Sequence, residues 1–205
     1  ALRLNRASSS PSPWPALNLG LLLSRESRLD EAEALFRESL RADPGFPQGH
    51  YQLGVVVEKK GRYDEAIASY EEAQQGSSDR FRPLVDASLA NALILSGDLA
   101  RARSTLDALA LPSDPSQQAQ LQRTRGRLLL AENKPAEALA LYQQLASAPV
   151  SGDEGFYRAW ALDGISKSES ALGNEAQAAQ ALDQAIDVFD KARAMGADRV
   201  GAARE

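Results

Sequence analysis

Apolar side chains recur along this chain at intervals of three and four, and short polar turns break the series again and again. Phe36 and Ser39, Tyr70 and Ala73, Tyr142 and Leu145 are three apart, and each pair follows a small alanine by four and seven. Such spacings place side chains on one face of a helix. Between apolar segments lie the turns Ser27-Arg28, Gly61-Arg62, Gly97-Asp98, Asn133-Lys134 and Gly173-Asn174. Glycine or asparagine there fits the left-handed residue that closes a helix. Asp30-Glu31, Asp64-Glu65 and Glu137 follow, where carboxylates complement the next helix's dipole, and Pro135 fits a first helical turn. The pattern predicts paired helices and no strands.

The pairs repeat. Ala32, Ala66, Ala102, Ala138 and Ala178 are separated by 34, 36, 36 and 40 residues. The small residues Gly20, Gly54, Ala90, Gly126 and Ser166 show the same separations and precede those alanines by 12. Two series sharing the same irregularities confine length variation to the joints between units. Leu19, Leu53, Leu89 and Ile165 precede the small residue, with Arg125 as the exception, whose charge is expected to reach outward.

On these residues the chain resembles the tetratricopeptide repeat (TPR) family. Leu19-Gly20, Ala32, Phe36 and Pro44, then Leu53-Gly54, Ala66, Tyr70 and Ala73, match its pattern closely, and the later units more loosely. The resemblance implies an all-α, right-handed superhelical solenoid of about five helix-turn-helix hairpins, at 13–46, 47–80, 83–116, 119–152 and 159–192. A remnant of a preceding repeat plus a joint is expected over 1–12, the array over 13–196, and a tail over 197–205. The last helix is expected to run long and to cover the end of the stack, with Gly196 after its apolar stripe.

The resemblance also implies a concave face lined by the first helix of each hairpin. The expected peptide-groove residues are Asn18, Tyr51, Gln52, Ser88, Asn91, Arg123, Arg127, Trp160 and Lys167. The groove would grade from apolar and amide to basic. Its amides would hydrogen-bond an extended backbone, and its arginines would suit a partner carboxylate.

Composition narrows the chemistry. In 205 residues the net charge is -5, without the basic surplus that a nucleic-acid partner rewards. With no cysteine, disulfides, a cysteine nucleophile and Cys/His zinc sites are excluded. His50, the one histidine, falls at a packing position. No phosphate loop is present, no cofactor or metal is expected, and no apolar run suits membrane insertion. The expectation is a non-enzymatic scaffold that binds a protein or peptide, an acidic segment being among the ligands its groove would suit. The alternatives are a recruiting region of a larger multidomain enzyme or a self-assembling scaffold. A cytoplasmic location is expected, with the periplasm as the alternative, because the chain begins without methionine.

Overall fold

A computed structural model describes residues 12–110, 112–147 and 154–202. Among the described residues there are ten helices and no strand: α1 (Trp14–Arg25), α2 (Leu29–Ala42), α3 (Pro47–Lys59), α4 (Tyr63–Gly76), α5 (Arg82–Ser96), α6 (Leu99–Asp107), α7 (Pro115–Ala131), α8 (Pro135–Ser147), α9 (Glu154–Ala171) and α10 (Glu175–Ala202). The expected remnant over 1–12 falls almost wholly outside the described residues. Odd-numbered helices open the repeats and are called A helices; even-numbered ones are B helices. The chain divides into two compact units, residues 1–96 and 97–205.

Local sequence dictates the helix ends. Each of the five turns contains one residue with positive φ: Ser27, Gly61, Gly97, Asn133 and Gly173. These lie five residues ahead of the five alanines of the repeat series. At four of these turns the next amide closes back on the preceding helix: Arg28 to Leu23 (3.0 Å), Arg62 to Val57 (3.0 Å), Lys134 to Leu129 (2.8 Å) and Asn174 to Glu169 (2.9 Å). That bond satisfies a carbonyl the helix end would otherwise leave bare. Asp98 and Asp114 cap α6 and α7 by accepting from the Arg101 and Gln117 amides. The Asp114 cap followed by Pro115 starts α7 four residues ahead of the expected repeat start at 119. At the other end α10 continues through Gly196 to Ala202, since one helical glycine costs only about 1 kcal/mol.

Packing inside each unit follows from size complementarity. Ala32, Ala66, Ala102, Ala138 and Ala178 are all buried. Phe36, Tyr70 and Tyr142, four residues on, are buried as well. Glycine in the partner A helix makes room for each ring. A Cβ on Gly54 would lie 2.6 Å from the Tyr70 ring, and one on Gly126 would lie 2.4 Å from Tyr142.

The fifth hairpin departs from the expected register. Ser166 is only half-buried, whereas Gly164 and Ser168 are buried. A Cβ on Gly164 would stand 2.5 Å from Tyr142, so this glycine seats the ring of the preceding hairpin. The expected covering of the stack by the last helix is also corrected. Helix α10 packs on α9 through Ala178, Ala181 and Ala185, while Leu182, Ile186 and Phe189 remain exposed.

Ion pairs join successive hairpins in both units. Glu33 on α2 is buried and accepts from Arg37 (2.8 Å), Lys60 (2.7 Å) and Arg62 (2.9 Å). Burial alone would raise its pKa, but hydrogen bonds from Lys60, Arg37 and Arg62 outweigh it and hold the carboxyl at about 2. In the C-terminal unit the charges are exchanged: Arg103 on α6 pairs with Glu132 at the end of α7, which also meets Lys134 at 3.3 Å. Glu132 is likewise held below its ordinary value, the hydrogen bonds from Arg103 and Lys134 overcoming desolvation.

Candidate binding surfaces on the A helices

In the N-terminal unit, α1, α3 and α5 carry five of the expected groove residues. Asn18 is exposed on α1 and Gln52 is half-buried on α3. Tyr51 is half-buried, edge-on to Phe81 at 5.3 Å and tilted against Tyr70 at 5.8 Å. Burial raises the Tyr51 phenol above its ordinary pKa. Ser88 is buried, and its hydroxyl donates to the Tyr51 oxygen at 3.5 Å. Ser88 therefore belongs to the packing of α5 rather than to an accessible surface.

Asn91 is engaged within the fold. Its Nδ2 donates to Glu58 Oε1 at 2.8 Å, and the Tyr70 hydroxyl donates to Glu58 Oε2 at 3.2 Å. Glu58 thus ties α3 to α4 and α5 at the side where Asn91 was expected to meet an extended peptide. The sequence reading missed Glu58. It stands one turn after Val55 on the same helix face, and that phase was the signal that could have found it.

In the C-terminal unit, α7 and α9 bring the remaining four together. The Arg123 guanidinium lies 4.5 Å from the centroid of the Trp160 ring. Trp160 is half-buried and edge-on to Tyr157 at 5.3 Å. Arg127 sits one turn beyond Arg123 on α7. Both arginines lie near enough to the buried Tyr142 to oppose the rise that burial imposes, which takes its phenol to about 12. The Tyr142 hydroxyl donates to the Arg123 carbonyl at 3.2 Å, which locks the first of these residues to the B helix. Lys167 is exposed but paired with Asp163 at 2.6 Å, so it adds less positive field than its charge suggests.

One other residue settles differently from expectation. Arg125 does not reach outward. Its guanidinium donates to the carbonyls of Leu106 (3.1 Å) and Leu109 (3.5 Å), where a cation complements the end of α6. His50 Nε2 lies 2.7 Å from the Pro44 carbonyl oxygen, to which its N–H donates. Among the described residues there is no group of three or more potential metal ligands, and no helix is long and apolar enough to cross a membrane.

Hairpins with a small residue seated against an aromatic, closed by left-handed turns, are the architecture of one repeat family. Two tetratricopeptide repeat models match the chain, over residues 17–81 and 58–128, together more than half of its length. The chain belongs to the tetratricopeptide repeat family. Solved structures agree in fold. A thermophilic TPR protein of Thermus thermophilus, TTC0263, has a TM-score of 0.65 at 20% identity, covering 89% of this chain and 98% of that one. YrrB, described as a TPR protein with an unusual peptide-binding site, gives 0.55 at 22% identity, covering 86% of each chain. A chain of the APC/C hetero-tetramer Cut9-Hcn1 gives 0.72 at 19% identity; 86% of this TPR chain is covered but only 33% of that one. No curated protein matches the sequence. Proteins of the TPR family are in general scaffolds for protein–protein interaction rather than enzymes.

Proposed function

We propose that this TPR protein binds a partner polypeptide, and that an acidic segment of the partner docks on the A-helix side of the C-terminal unit. The observation that carries the reading is Arg123 stacked at 4.5 Å over Trp160, with Arg127 one turn further along α7. Stacking on an indole orients a guanidinium plane. Two such groups one turn apart favour a run of carboxylates over a single one. The half-buried Trp160 and Tyr157 add apolar surface for the ligand's backbone and methylene groups. Support for a peptide as the ligand class comes from YrrB, whose shared fold carries a peptide-binding site.

The test is fluorescence anisotropy with a labelled glutamate-rich peptide, beside a glutamine-rich control of equal length. The acidic peptide binds, the control binds at least about tenfold more weakly, and Arg123→Glu lowers acidic-peptide affinity by a similar factor. Equal affinity for both peptides, or an unaltered affinity in Arg123→Glu and Arg127→Glu alike, rules the reading out.

A further inference from the structure

The repeat lets the joints between hairpins be compared position by position. In the first joint, Lys60 stands just before the left-handed Gly61, past the end of α3, and Asp30 stands three residues after the left-handed Ser27, at the start of α2. The two meet at 2.5 Å, and Lys60 also reaches Glu33 at 2.7 Å. In the third joint the charges are exchanged: Arg103, in the place of Glu33, pairs with Glu132, in the place of Lys60. Among the described residues the second joint has no such pair. Asp64 on α4 holds the place of Asp30, but Ser96 at the end of α5 holds that of Lys60, and Ile67 that of Glu33. The polar bonds of this joint lie at the other end of the two helices, where Asp86 accepts from Gln74 at 2.5 Å and from Arg82 at 3.1 Å.

Where the lysine is missing, the surface is hollow. An open cleft of about 480 Å³ lies between the start of α4 and the end of α5, with Tyr63, Asp64, Leu95 and Ser96 in its wall. Arg62 and Glu65 also line it, and both are engaged. Arg62 donates to Glu33 and Glu65, and Glu65 accepts from Arg37 as well. Asp64 is exposed and makes no ion pair among the described residues. Tyr63 and Leu95 are half-buried and give the cleft apolar sides. The last turn of α5 has no basic residue, and its carbonyl end favours a cation. The first joint shows what such a setting takes. The Lys60 side chain is 25% exposed and its Asp30 partner 90% exposed, so the stem lies in the joint while the ammonium reaches the outer carboxylate.

We propose that the cleft between α4 and α5 receives a lysine side chain of a partner polypeptide, which takes the place that Lys60 fills from within in the preceding joint. The lysine methylenes lie along Tyr63 and Leu95, and the ammonium pairs with Asp64. The cleft shares no residue with the Arg123 and Trp160 surface, so its occupancy does not depend on an acidic ligand there.

Amide chemical shifts of the nitrogen-15-labelled full chain, titrated with a short end-blocked peptide carrying one lysine between leucine and glycine, test this. The amides of Asp64, Glu65 and Ser96 move together and saturate. The same peptide with acetyl-lysine, which keeps the stem and loses the charge, binds about three- to fivefold more weakly, and Asp64→Asn weakens the lysine peptide by a like factor. Asp30→Asn removes the same unit of charge where Lys60 is already seated, and leaves binding unaltered. Ser96→Lys fills the cleft from within and abolishes the shifts. Asp64 and Ser96 are both exposed, so the variants keep the helical circular dichroism of the parent. An absence of shifts at these three amides overturns the inference, as does equal binding of the acetylated peptide. Equal losses in Asp64→Asn and Asp30→Asn, which mark attraction to net negative charge alone, or full binding by Ser96→Lys, overturn it too.

Discussion

The two units place their polar groups on the A helices to different ends. In the N-terminal unit, Asn91 and Tyr70 both donate to Glu58, and Ser88 donates to Tyr51, so the surface of α3 and α5 is stitched into the fold. In the C-terminal unit, the fold takes the Arg123 carbonyl through Tyr142, while the Arg123 guanidinium rests on Trp160 at the surface. One repeat register thus holds a hydrogen-bonded set of side chains in one half and a guanidinium stacked on an indole in the other. The difference teaches that position in a repeat names a location, while the neighbours decide whether a polar side chain there is internal wiring or a contact.

The sharpest way to break this comparison is to remove a keystone ring from each unit. Tyr70→Ala and Tyr142→Ala should each lose about 3–5 kcal/mol in urea unfolding. Leu182→Ala, at the same register position but exposed, should change stability by less than about 0.5 kcal/mol. A large loss at Leu182 would mean that its face is covered in solution.

A smaller effect is expected at the glycine seats. Gly54→Ala and Gly164→Ala place a methyl 2.6 Å and 2.5 Å from the Tyr70 and Tyr142 rings. Overpacking of about 1–3 kcal/mol should exceed the gain in helix propensity of about 1 kcal/mol. A rise in melting temperature in either variant would show that the ring moves aside freely.

Acid distinguishes the units next. Glu33 is held at about 2 against an ordinary 4.5, so its contribution is complete above 4.5 and lost as pH falls toward 2. Glu33→Gln should cost roughly 2 kcal/mol at pH 7, and the deficit should vanish near pH 2. Glu132→Gln in the charge-exchanged joint should show a smaller deficit with the same sign, because Glu132 is less enclosed. A Glu33→Gln deficit that persists at pH 2 would exclude the ionic explanation. Smallest of all, Arg127→Gln should alter stability by no more than about 0.5 kcal/mol while weakening the acidic peptide. A substantial stability loss would make Arg127 a structural residue.

Much of the fold could be read from residues alone, because the small residue, the turn and the alanine keep fixed spacings while the joints vary. The turn glycines and asparagine expected to be left-handed are so at Gly61, Gly97, Asn133 and Gly173, and Ser27, for which no such expectation stood, is left-handed as well. What periodicity could not convey is which ring a small residue accommodates. Spacing selected Ser166, but the ring needing relief is Tyr142 from the previous hairpin, and Gly164 meets it. The surface residues were less legible for the same reason. Phase assigned Ser88 and Asn91 to the groove, yet Ser88 is buried and bonds to Tyr51, and Asn91 is held by Glu58. Pairings across helices depend on rotations that a one-dimensional period does not contain. Arg125 shows the converse: a break in the apolar pattern marked a helix-end contact in the neighbouring hairpin.

Each hairpin is closed by one left-handed residue at a fixed distance from its alanine, and this governs where the chain can lengthen. A peptide spliced after Asp79, in the link between α4 and α5, extends a segment whose length already varies from joint to joint. The same splice beside Gly61 would rotate α4 against α3 and lift Tyr70 from its groove on Gly54. Tags, labels and grafted epitopes therefore belong in the links, where the molecule has slack, and a hairpin is best moved, copied or deleted whole.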